Sequence, residues 1–189
     1  MSANLPGRLG NPDMDIKDDP RADPRMIKAM GPLGLDVAPD MAPVDASSPL
    51  EDILAFCAES EVGFDALGGA LTAATPPVEG VTSYTEVIEG VDGNDINLYI
   101  HKPNKDTGPL PAIVHTHGGG MVILEAASVG FQRWRDELAA TDLIVIGVEF
   151  RNGAGVLGPH PFPAGLNDCT SATQWVIANA ESLGASKVI

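Results

Sequence analysis

Pro111-Ala112-Ile113-Val114-His115-Thr116-His117-Gly118-Gly119-Gly120-Met121 is the stretch whose reading decides the fold. Its first five residues form a short apolar run of the kind that fills a sheet covered on both faces. The triple glycine lets the chain leave that strand in a sharp turn with positive φ, in which consecutive N–H groups can converge on one point. Fixed donors of this sort stabilise the negative charge that develops on a carbonyl oxygen during acyl transfer. A merely flexible strand-to-helix turn is the plainer alternative, and three glycines alone do not decide between them.

Downstream, residues Ala126 to Ala140 read as a helix and Leu143-Ile144-Val145-Ile146-Gly147-Val148-Glu149-Phe150 as a strand. A strand, helix, strand order implies a right-handed crossover and parallel pairing. A Gly-rich loop from Asn152 to Pro163 follows, then a helix from about Ala164 to Ser182 and a strand start at Lys187-Val188-Ile189.

Upstream, Val81 to Ile88 is β-prone, and Ile96, Leu98 and Ile100 alternate with Asn97, Tyr99 and His101. The intervening Gly90-Val91-Asp92-Gly93-Asn94-Asp95 is dense in turn formers, so the two runs predict an antiparallel hairpin, with Pro103 ending its second strand. Earlier still, Ser48 to Leu71 predicts a helix opened by Pro49, with Leu50, Ile53, Leu54 and Cys57 on one apolar face. That helix is either a structural extension or a cover over the mouth of the site. Residues 1 to 48 carry seven prolines among clustered acids and read as an arm, with one short helix capped by Asp23. The expected fold class is α/β, with a mixed, mostly parallel sheet whose first hairpin is antiparallel. The expected division is an arm and helical cap segment over 1–75 and a sheet-bearing domain over 76–189.

Composition excludes several function classes. With 26 acidic and 11 basic residues the formal charge is -15, which disfavours a hold on nucleic acid or an anionic membrane through phosphate neutralisation. No run approaches a membrane span. The two cysteines, Cys57 and Cys169, make no disulfide framework and are expected to be buried free thiols, and with no signal segment opening the sequence the expected location is cytoplasmic. The glycine run lacks the G-x-G-x-x-G pattern and no Walker lysine follows it, which disfavours nucleotide binding. His115 and His117 have no further ligands clustered near them and His160 stands alone in a Pro-rich loop, so no metal site is expected.

His117-Gly118-Gly119-Gly120 resembles the oxyanion motif of the hormone-sensitive-lipase-like family of α/β-hydrolase carboxylesterases. Val148 to Asn152 and His160-Pro161-Phe162-Pro163-Ala164-Gly165-Leu166-Asn167-Asp168 are similar to that family's path from the fourth strand into the next helix. Asn4-Leu5-Pro6-Gly7-Arg8-Leu9-Gly10 and the repeated Asp-Pro-Arg at Asp19 to Arg21 and Asp23 to Arg25 resemble the arm of a family member.

The resemblance implies a serine mechanism on a small-molecule ester, without cofactor or metal. The N–H groups of Gly119 and Gly120 would be the oxyanion donors, and His117, Gly118 and Arg151 would support the site structurally. No G-x-S-x-G occurs in the 189 residues, and Ser171, Ser182 and Ser186 lack that glycine setting. The reading is therefore the N-terminal part of such an enzyme, ending before the nucleophile elbow and inactive by itself. Its expected partners are further copies of itself or the missing C-terminal half. The competing reading is a non-catalytic binding or interaction module on the same frame.

Overall fold

The computed structural model describes residues 11, 13–37, 42–73, 75–105 and 108–189. Residues 4–10, which carry part of the family resemblance, lie outside them. Contacts divide the chain into two units, Met1–Ser47 and Ser48–Ile189.

In the first unit, helix α1 (Pro24–Met30) has Pro at its start, and the Asp23 side chain accepts a hydrogen bond from Arg25 N–H. The repeated Asp-Pro-Arg has a local cause. Each aspartate folds back on the arginine two residues later, with Asp19 Oδ2 2.5 Å from Arg21 Nη2 and Asp23 Oδ2 2.6 Å from Arg25 Nη2.

The second unit opens with helix α2 (Leu50–Ala73) and continues through β1 (Val81–Glu89), β2 (Asp95–Pro103), β3 (Leu110–His115), α3 (Val129–Ala139), β4 (Ile144–Val148), α4 (Ala164–Ala178), α5 (Ala180–Leu183) and β5 (Ala185–Val188). The strands form one sheet in the order β1-β2-β4-β3-β5. The β1–β2 and β2–β4 pairs are antiparallel, and β3 runs parallel to both β4 and β5. The sheet is thus the mixed α/β arrangement read from the sequence, its antiparallel hairpin first.

The two faces of the sheet differ in chemistry because strand side chains alternate. Ile96, Leu98, Ile100, Ala112, Ile144, Ile146 and Val148 point one way and pack with Ala172, Val176 and Leu183 of α4 and α5. On the opposite face, Tyr99, His101, Gly147 and Glu149 meet α3 and the segment leading into it. Arg135 of α3 is fully buried there. Its room comes from Gly147, where a Cβ would lie 2.8 Å from the guanidinium carbon.

Two boundaries and one buried face differ from the sequence reading. Helix α3 starts at Val129 rather than Ala126, because the main chain of residues 124–127 is bonded by side chains into an irregular path described below. The helix expected to reach Ser182 breaks at Asn179, whose side-chain amide donates to Trp175 O and competes with the helix ladder. On α2, Leu50 is exposed rather than part of an apolar face, and the residue that this helix buries fully is Glu61.

Gly147→Ala is expected to lower stability by about 1–3 kcal/mol, since Arg135 cannot swing into solvent to make room. A urea titration should show a lower midpoint with an unchanged slope.

Candidate oxyanion site

Beyond β3 the chain enters the left-handed region repeatedly: φ is +107° at Gly119, +68° at Gly120, +58° at Met121 and +79° at Leu124. Gly119 O accepts from Val122 N at 3.0 Å and Ile123 N at 3.3 Å, which closes a tight turn. A side chain at Gly119 would collide with the carbonyl oxygen of Ile123, so close backbone approach as well as φ demands glycine there. Gly153 N and Ala154 N donate to Met121 O and Val122 O at 2.9 and 2.8 Å, fastening the turn to the loop after β4. Among the described residues neither Gly119 N–H nor Gly120 N–H donates a hydrogen bond. Two donors of a rigid turn therefore remain unused by the fold.

Residues 124–127 hold that turn from below, with side chains in place of secondary structure. Leu124 N–H donates to Glu61 Oε1 at 2.6 Å, and Leu124 O accepts from Asn152 Nδ2 at 2.6 Å. Ala126 N–H donates to Glu149 Oε1 at 2.6 Å, and Ala126 O accepts from Arg135 Nη2 at 2.8 Å. Ala127 N–H donates to Glu149 Oε2 at 3.1 Å, and Ala127 O accepts from Gln132 Nε2 at 2.6 Å.

Tyr99 Oη donates to Glu149 Oε2 at 3.0 Å. Burial, reinforced by the Glu149 charge, pushes the Tyr99 phenol up to about 12. Arg135 Nε–H donates to His101 Nε2 at 2.9 Å, which leaves the His101 proton on Nδ1, 2.6 Å from Asp136 Oδ1. Burial lowers the His101 pKa, against the pull of Asp136.

His117 is buried, stacked on Phe150 at 4.2 Å between ring centroids, with Nδ1 2.7 Å from Gly118 O. The imidazole thus braces the glycine turn through the carbonyl it touches, and burial lowers its pKa. Gly118, Gly119 and Gly120 share this turn. The Arg151 guanidinium is directed elsewhere, to Asp168 (2.7 and 2.8 Å), to Asp92 (2.6 Å) and to Ala164 O, linking the loop after β4 to α4 and to the β1–β2 turn. Ser171 Oγ accepts from Val91 N–H and Ser182 Oγ donates to Asn179 O, so both serve the frame.

Sequence reasoning assigned no role to Glu61, Arg135, Glu149 or Asn152. The available signal was a glycine and a glutamate two residues apart, Gly147 and Glu149, on the same face of an otherwise aliphatic strand. Among the described residues no group of three or more His, Cys, Asp or Glu side chains is arranged to hold a metal, and no helix is long and apolar enough to cross a membrane.

The sheet order is that of the α/β-hydrolase fold, and the chain is similar to carboxylesterases of the hormone-sensitive-lipase kind. A family profile described as BD-FAE matches residues 98–188. The solved structure of brefeldin A esterase, described as a bacterial homologue of human hormone-sensitive lipase, superposes with a TM-score of 0.88 at 42% identity, covering 97% of this chain and 51% of that one. Carboxylesterase NlhH of Mycobacterium tuberculosis is 35% identical over 102 residues, 50% of this chain and 28% of that protein. Tuliposide A-converting enzyme b1 of Tulipa gesneriana is 32% identical over 114 residues, 58% of this chain and 29% of that protein. The chain therefore spans about half the length of the esterase it superposes on and under a third of these two relatives.

Two buried histidines, His101 and His117, and the half-buried His115 make stability acid-sensitive. Burial holds His115 down to about 4 and also lowers His101 and His117. Below about pH 6.5 the unfolded chain takes up protons that the folded chain refuses, so stability, level above that pH, should fall as pH drops toward 4. Glu125, raised by burial and neighbouring carboxylates, opposes this only in part. Urea midpoints at pH 7, 6 and 5 should decrease in that order, and the His115 ring proton should show no titration by NMR above pH 5.

Proposed function

We propose that this chain forms the oxyanion half of a serine carboxylesterase acting on small-molecule esters. The observation that carries the reading is the pair of unused N–H groups, Gly119 and Gly120, presented by a turn that is closed on Gly119 O and fastened by main-chain bonds to the loop after β4. Donors fixed in advance stabilise a tetrahedral oxyanion without reorganising, the largest contribution in many acyl transfers. In this reading residues 1–75 are an arm and cap segment, and 76–189 begin the catalytic domain. The serine, with its histidine and acid, is supplied by sequence outside these 189 residues. Serine attacks the acyl carbon, histidine takes the serine proton and passes it to the leaving alkoxide, and water then releases the acid. His117 and Gly118 shape the glycine turn, and Arg151 braces the adjoining loop. The esterase names of the relatives support this reading, and the mechanism needs no cofactor.

The test is expression of the protein with its downstream sequence, followed by fluorophosphonate labelling and assay on p-nitrophenyl esters. The longer protein should label at one serine and turn over, whereas the 189-residue chain should do neither. Failure of the longer protein to label would favour a non-catalytic module. Semisynthetic replacement of the Gly119 peptide N–H by an ester oxygen should cut kcat by roughly 10²- to 10³-fold with little change in binding. Retention of the rate would remove Gly119 from the site.

A further inference from the structure

Glu61 stands out because a carboxylate is the residue that α2 buries most deeply, at 4% exposure, while Leu50, Val62, Phe64 and Leu71 of the same helix are exposed. Carboxylates are rarely buried unless the structure uses them. Both oxygens of Glu61 are engaged by main-chain donors from two different loops: Oε1 accepts from Leu124 N–H at 2.6 Å and Oε2 from Val156 N–H at 2.8 Å. The second loop is shaped to admit it. Gly155 has φ +68°, and a Cβ there would lie 2.6 Å from Oε2.

The contact to Leu124 reaches the glycine turn through a single peptide unit. In a trans peptide the N–H and C=O point in opposite directions. The N–H of the Ile123–Leu124 peptide points to Glu61, so its carbonyl points away, and that carbonyl is the group packed against Gly119 where no side chain fits. Leu124 itself is held at φ +79°, a conformation that a branched-chain residue adopts only when its surroundings impose it. The Leu124 side chain also packs beside Gly119. Glu61 therefore fixes the tilt of the peptide that sets the Gly119 backbone.

We propose that Glu61 is a positioning residue for the oxyanion donors: it locks the Ile123–Leu124 peptide and the 155–156 loop to α2 and thereby fixes the direction of the Gly119 N–H. This rests on the esterase reading above for its kinetic consequence, but its structural consequence can be read without any activity. Glu61→Gln keeps one acceptor oxygen and turns the other position into a donor facing a donor. Glu61→Leu removes both acceptors at similar size.

Two measurements test the proposal. In the 189-residue chain, amide exchange followed by NMR should quicken at least tenfold at Leu124 and Val156 in Glu61→Gln. The Gly119 and Gly120 amide resonances should shift, while Ala126 and Ala127, held by Glu149, keep their protection. Equal loss of protection at Leu124, Val156, Ala126 and Ala127 would mean general loosening and would overturn the proposal. If Glu61→Leu does not fold, Glu61→Gln alone carries the comparison. In the longer protein, Glu61→Gln should lower kcat by roughly tenfold to a hundredfold with KM within about twofold, the pattern of misplaced transition-state donors. An unchanged kcat with altered exchange would make Glu61 purely structural and overturn the proposal. A wild-type protein without turnover would instead overturn the esterase reading, and it is scored before any variant is made.

Discussion

A buried stretch of chain that is neither helix nor strand must find a partner for each of its N–H and C=O groups, since an unpaired one costs about as much as a lost hydrogen bond. Residues 124–127 are under that constraint, and the rest of the structure is arranged to meet it. Glu61, Asn152, Glu149, Arg135 and Gln132 come from α2, the loop after β4, the end of β4 and α3, and they bond the main chain of Leu124, Ala126 and Ala127, while Glu125 O accepts from Ser128 N–H. The segment is thereby as fixed as a strand without having a strand's geometry. A rigid but irregular path is what the glycine turn above it requires in order to present free N–H groups.

This arrangement carries charge into the interior, and its cost is met locally. The Arg135 guanidinium donates to Ala126 O and His101 Nε2 and lies over the Tyr99 ring at 5.5 Å. Glu149, which shares the Ala126 peptide with it, supplies a nearby opposite charge that favours the guanidinium even as burial disfavours it. Removing Glu149 would take that favourable charge from the buried guanidinium, a costly change even though buried charge is a weak source of stability. The opposite, aliphatic face of the sheet with α4 and α5 supplies the non-directional burial that drives folding. One face of the sheet thus holds the fold together and the other holds the site in register.

A second polar cluster does the same at the other end of the loop. Asp168, buried at 1% exposure, accepts from Arg151 Nε and Nη2, from Arg151 N–H and from Asn94 Nδ2. Asp92 joins it from the β1–β2 turn. The loop after β4 is therefore tethered at Arg151 to α4 and at Val156 to α2, and between these anchors Gly153 and Ala154 bind the glycine turn. Loop and turn form one body through main-chain bonds, with ion pairs at its margins.

The sequence by itself determined what depends on local pattern. Period-two alternation in Ile96–His101, the turn chemistry of Gly90–Asp95, the aliphatic run Ile144–Val148 and the Pro and Asp at the start of α1 each act within a few residues, and the structure has the elements they predict. The glycine motif was legible as a turn for the same reason. Tertiary structure alone decided where α3 begins, why α2 buries a glutamate, and which side chains hold the turn. Glu61 lies 63 residues from Leu124 and 95 from Val156. A hydrogen bond between a carboxylate and a distant main-chain amide leaves no periodicity, because any residue can supply the N–H. Only folding brings that carboxylate and those two loops to one point, and only there do the glycines at 147 and 155 acquire their reason.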